Sequence, residues 1–115
     1  MNVPLSVQQI GAFTVVQITT ISLMDPPMLE DLGQRLYQIV DEQDKRMIIL
    51  DFERVQYMSS QAIGILLALH KKLSNLSKSK LILCGVGEKL AQLLKITRLD
   101  RVLTVKPTQA EAMKA

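Results

Sequence analysis

Five short runs along the chain are apolar or β-branched and free of internal charge, and between them the apolar residues recur at helical steps. Leu5 to Ile10 and Phe13 to Thr19, separated by Gly11-Ala12, predict a β-hairpin at a sheet edge. Met47-Ile48-Ile49-Leu50 is continuously apolar and stops at Asp51, the pattern of a strand covered by helices on both faces. Lys80 to Cys84 reads the same way and is turned by Gly85-Val86-Gly87, while Val102 to Val105 reads as the last strand. Asp25-Pro26-Pro27 is a helix-start signal, and Met28, Leu29, Leu32, Leu36, Ile39 and Val40 form a stripe that carries this helix to about Gln43. A second helix from about Ser60 to Asn75 holds more apolar side chains than one sheet-facing stripe needs. Its N-terminal half reads as apolar all round, which implies burial between elements or cover by a partner. Leu90, Leu93, Leu94 and Ile96 mark a short third helix, and Pro107-Thr108 opens a terminal one through Met113.

The resulting order is ββαβαβαβα. Strands joined through helices return in parallel, so the fold class is α/β, with about four helices on a mixed β-sheet that has a parallel centre. No repeat or linker divides residues 1–115, so one domain is expected.

Composition narrows the function. The chain is 48% hydrophobic but only 3% aromatic, so the core rests on Leu, Ile, Val and Met, and two Tyr and two Phe provide no stacking platform for nucleic acid. The formal charge of +3 is spread along the chain and forms no basic stripe. Cys84, alone of its kind and inside an apolar run, reads as a buried thiol in a reducing compartment. The longest apolar run, Ala62 to Leu69, is too short to span a membrane, and Met1-Asn2-Val3-Pro4 lacks the basic start and apolar core of a signal peptide. A cytoplasmic protein is expected.

Catalysis finds no support in the residue pattern. The single His70 lies ten residues beyond Ser60 on the same predicted helix, about 15 Å along its axis, out of reach as a base. There is no Cys/His cluster for a metal, and Gly85-x-Gly87 is too short for a dinucleotide fingerprint, so no cofactor is expected. Asp51, ending a buried strand, invites comparison with a phosphoacceptor aspartate, but the first strands lack the acidic pair that would bind Mg²⁺.

The informative stretch is Asp51 to Leu67. A buried strand, a short polar connection and Ser59-Ser60 before an apolar run place hydroxyls at a helix mouth, where either serine could cap and where the helix dipole favours negative charge. The order of a strand ending in Asp51, then Val55, Tyr57-Met58, a serine pair and an apolar helix resembles the STAS domain family, and within it the bacterial anti-sigma factor antagonists. So does the closing segment Leu94-Lys95-Ile96-Thr97-Arg98-Leu99-Asp100-Arg101-Val102-Leu103 with Thr108 to Ala112. Ser60 stands at the family's phosphorylated serine, Ser59 at its usual Asp, Gln61 at the following Ser or Thr, Ala62 at its Gly, and Arg98 at a further usual Gly.

The resemblance implies a single STAS domain that binds an anti-sigma factor doubling as a serine kinase with a histidine-kinase-like ATPase fold. The complex would break on phosphorylation at Ser60, with Ser59 as the alternative acceptor. It implies partner contacts from Asp25, Tyr57, Met58, Ser59, Ser60, Gln61 and Ile63. Read from the residues alone, Met58 and Ile63 are core and Asp25 caps the first helix. The altered loop also suits a STAS subunit without the switch, part of a larger signalling or lipid-transport assembly. Monomer and weak dimer both stay open. An Arg at the second Gly position would cost roughly 1 kcal/mol if positive φ is required there, which predicts a differently shaped helix end.

Overall fold

The hairpin forms around Gly11, whose φ of 58° is the left-handed turn that this residue adopts freely. It joins β1 (Leu5–Ile10) to β2 (Phe13–Ile18) in unbroken antiparallel register from Leu5↔Ile18 to Ile10↔Phe13. The computed structural model describes residues 3–115, and the part of the N-terminal reading that concerns Met1 and Asn2 lies outside the described residues.

β4 (Met47–Asp51), β6 (Lys80–Cys84) and β7 (Thr104–Lys106) complete a five-stranded sheet in the order β1-β2-β4-β6-β7. Every pairing after the hairpin is parallel, because each of these strands is reached through a helix. The bounds expected for β4 and β6 are the bounds observed. Both strands are buried along nearly their whole length, as continuous apolar runs require.

α1 (Pro26–Asp41), α2 (Ser60–Ser74) and α3 (Glu88–Ile96) cover one face of the sheet. Leu29, Leu32, Leu36, Leu66, Leu69, Leu90 and Leu94 close there over Val16, Ile48, Leu50, Leu81 and Leu83. Where α1 crosses α2, a side chain on Gly33 would stand 3.3 Å from Ile65, so the glycine sets how closely the two helices approach. The other face holds a smaller cluster, Val15, Ile49, Ile82 and Cys84, under Ala112 of the short α4 (Gln109–Met113).

α4 is fastened by Asp51. This buried carboxylate accepts the Glu53 amide at 2.9 Å and the Gln109 side-chain amide at 2.7 Å. Gly85, at φ 66°, lets the next strand's loop pass it, since a Cβ there would lie 2.8 Å from Asp51 Oδ1. Both carboxylate oxygens are engaged in structural bonds.

Two local expectations need correction, and one is narrowed. The last strand begins at Thr104 and not at Val102, because a 3-10 turn (Leu99–Arg101) runs on through Val102 and Leu103, whose amides both donate to the Leu99 carbonyl. Arg98 does adopt φ 62°, so the helix end keeps the left-handed shape that a glycine would give it, and the chain carries that strain. Of the two explanations for the apolar N-terminal half of α2, burial between elements covers only part of it: Ser60, Gly64 and Leu67, spaced along one stripe, are exposed, and for that stripe the alternative of cover by a partner stands. Two strands were also absent from the sequence reading. β3 (Ser22–Leu23) and β5 (Tyr57–Met58) pair in parallel as a separate two-stranded ribbon.

Candidate functional site

The β3–β5 ribbon builds the site. After β4 the chain bends at Phe52–Val55, where the Val55 amide donates to Phe52 O at 2.9 Å, and Phe52 and Val55 bury themselves in the core. The amides of Gln56 and Tyr57 then bond the Ile21 carbonyl, and the Ser59 amide bonds the Leu23 carbonyl at 3.0 Å. The connection before α1 and the connection before α2 are thereby held side by side. On the second of them the period-two alternation of a strand points Tyr57 outward, 48% exposed, and Met58 inward against the core.

Ser59 is the N-cap of α2. It has extended backbone, and its Oγ accepts the Ala62 amide at 3.3 Å. Ser60, one residue on, is the first residue of the helix and is exposed. The cap therefore belongs to Ser59, and the Ser60 hydroxyl is not required to hold the helix start. The first turn of α2 carries no acidic residue, so the positive end of its dipole faces this hydroxyl uncompensated. Lys71 and Lys72 sit in the last turn, where cations suit the negative end.

The other residues singled out in the sequence fall into two groups. Asp25 is exposed and caps α1, with Oδ2 accepting the Met28 amide at 3.0 Å, and exposed Gln61 reaches from α2 to the Pro26 carbonyl at 3.4 Å. The Gln61 bond ties the start of α2 to that of α1, while the Asp25 bond stays within α1. Met58 and Ile63 are half-buried against the main core, so each gives the surface only an edge. Tyr57, Ser60, Gln61 and Asp25 thus share the exposed rim of the two paired connections, with Ser59 half-buried between them.

Sequence reasoning missed three members. Ile21 and Met24, 57% and 51% exposed, flank β3 and are brought to the serine loop by the ribbon. Lys89, at the start of α3, places Nζ 5.0 Å from the centre of the Tyr57 ring, a cation–π contact that steadies the tyrosine at the surface. The only hint in the sequence was the presence of Ile21 and Met24 in a connection whose other residues are mostly polar. A two-residue strand has too few positions to show a period.

The pattern of the STAS domain matches residues 6–112. The chain belongs to the STAS domain family. Solved STAS structures superpose over nearly its full length. An anti-sigma-factor antagonist (STAS) domain protein from Planctomyces limnophilus is 19% identical, with a TM-score of 0.84 over 97% of this chain and 96% of that one. An anti-sigma factor antagonist from Mycobacterium paratuberculosis is 20% identical, with a TM-score of 0.83 over 96% and 90%. The Bacillus cell-fate determinant SpoIIAA in its phosphorylated form is 18% identical, with a TM-score of 0.73 over 96% of each. At these identities the likeness establishes the STAS fold that the sequence reading expected. Among the described residues no helix of this STAS domain is long and apolar enough to cross a membrane.

Proposed function

We propose that this STAS domain is a cytoplasmic interaction module of the anti-sigma factor antagonist type, without catalysis of its own, and that phosphorylation of Ser60 controls its partner. The partner is an anti-sigma factor that is also the serine kinase. The observation that carries the reading is the division of labour within the serine pair. Ser59 holds the cap, and Ser60 stands exposed beside Tyr57 with Ile21 and Met24 across the ribbon. SpoIIAA, which shares the fold, is known in both an unphosphorylated and a phosphorylated form.

The energetics suit a switch that acts on docking. A phosphate adds about −1.5 to −2 charges, which at the start of α2 is favourable by only ~0.3–1 kcal/mol, so the fold is left intact. A partner surface closed over Ile21, Met24, Tyr57 and Ser60 would have to desolvate those charges, at several kcal/mol when no cation meets them. Each 1.4 kcal/mol is tenfold in affinity, so release follows.

Incubation with ATP and the kinase encoded beside the gene, followed by mass spectrometry of the peptide spanning Ser59-Ser60, tests the proposal. Phosphate on Ser60, together with loss of kinase binding by Ser60→Asp at unchanged thermal stability, is the expected result. A stable complex that never becomes phosphorylated would instead favour the STAS subunit without a switch. The replacement of the usual Asp by Ser59, which spends its oxygen on the cap, is the specific observation on that side.

A further inference from the structure

Both tyrosines of the chain lie under a lysine, and the two arrangements differ in one respect. Lys72 stands 5.2 Å from the centre of the Tyr37 ring, and its Nζ also bonds Asp41 at 2.8 Å, so its charge is balanced within the chain. Lys89 stands 5.0 Å from the centre of the Tyr57 ring, and no carboxylate of the described residues comes within ion-pair distance of it. The first contact is closed. The second leaves an unbalanced ammonium over Tyr57, on the ribbon that also exposes Ile21 and Met24.

Lys89 also sits where local electrostatics disfavours it. It is the second residue of α3, exposed, in the turn where a helix dipole favours an anion. α2 obeys the rule, with Lys71 and Lys72 in its last turn. A cation at the start of α3 is therefore explained by what it touches and not by the helix that carries it. The Tyr57 amide is fixed by the Ile21 carbonyl at 3.2 Å, but the ring is 48% exposed, and it is Lys89 that lies over its face. The negative face of an aromatic ring attracts an ammonium, so each side chain limits the freedom of the other.

We propose that Lys89 is a positioning residue for partner docking at the Tyr57 ring. Lying over the ring, it presents Tyr57 in one orientation and lowers the ordering cost of binding. Its unbalanced charge favours a partner that brings a carboxylate to the same spot. The inference deepens the partner reading of the serine loop and rests on it. It adds the start of α3 to a surface otherwise built from the connections before α1 and α2.

The test uses the full unphosphorylated chain and the kinase encoded beside the gene, with affinity and association rate measured at low and high salt. Lys89→Gln should weaken the complex about three- to ten-fold and flatten the salt dependence of association. Lys89→Arg keeps a cation over the ring and should hold the parent affinity within about two-fold. Lys72→Gln removes the same charge about 18 Å further along α2 than Ser60 and should bind as the parent does. In the free chain, the Lys89 methylene next to Nζ should show the upfield proton shift of a group over an aromatic face, lost in Tyr57→Leu. Lys89→Gln should also cost less affinity in a Tyr57→Leu background than in the parent. An unshifted methylene, a Lys89→Gln complex of parent affinity, an equal loss from Lys72→Gln, a loss that Lys89→Arg fails to restore, or strict additivity with Tyr57→Leu would each overturn the role of Lys89 while leaving the partner reading in place. No complex with any form of the chain would overturn the partner reading itself, and the role of Lys89 with it.

Discussion

The division of labour between the two serines has a direct thermodynamic signature. Ser59→Ala removes the oxygen that accepts the Ala62 amide, leaving a half-buried donor at the start of α2 without its partner. Loss of a serine cap costs about 1 kcal/mol, within a range of roughly 0.5–2. For a domain of this size that lowers the melting temperature by about 3–6 °C. Ser60→Ala removes an exposed hydroxyl that accepts no helix amide, and surface changes of that kind stay within about 0.5 kcal/mol. Ser60→Asp adds a charge to a first turn that has none, which the dipole favours by ~0.3–1 kcal/mol, so its melting temperature should equal or slightly exceed that of the parent. Thermal and urea unfolding of the three variants, followed by circular dichroism, gives the ranking Ser60→Asp, Ser60→Ala, Ser59→Ala from most to least stable. Equal destabilisation by Ser60→Ala and Ser59→Ala would refute the reasoning, because Ser60 would then be structural and no longer free to take a phosphate without damage.

Gly85→Ala should cost at least about 2 kcal/mol in urea unfolding, since the position combines φ 66° with a Cβ that would press on Asp51 Oδ1 at 2.8 Å; a smaller loss would mean the Asp51 clasp on α4 is loose. Arg98→Gly should raise stability by roughly 0.5–1 kcal/mol by relieving the left-handed strain, less the extra freedom that glycine gives the unfolded chain, and no gain would show the strain already relaxed. Burial, aided by the charges of Asp51 and Glu53, raises the Cys84 thiol from 9.0 to about 12. An unfolded thiol ionises first, so the folded state holds the proton more tightly, and stability should fall with pH above 9.0 by up to about 1.4 kcal/mol per unit until about 12. Cys84→Ala should be less stable at neutral pH but lack that part of the slope, and an unchanged slope would assign it to other groups.

The parts of this molecule that the sequence determined by itself are those where one physical signal repeats. Ile48 to Leu50 and Leu81 to Leu83 had to be central strands, because unbroken apolar runs of that length fit only where both sides are covered. The stripe from Leu29 to Val40 had to be a helix on the sheet, since its steps match the helical period. Asp25 before two prolines marked its start for the same local reason. What tertiary structure decided lies where the signal is one or two residues long. Whether Ser59 or Ser60 caps α2 turns on a single hydrogen bond, and its position follows from where the Leu23 carbonyl anchors the Ser59 amide. Ile21, Met24 and Lys89 reach the serine loop through a ribbon of two-residue strands and one ring contact, joining segments far apart along the chain. Arg98 keeps its left-handed backbone because packing around Leu99 and Leu103, both buried, outweighs a local cost that the residue type alone would have avoided. Local patterns record which face a segment buries; which segments then become neighbours is settled only when those faces are brought together.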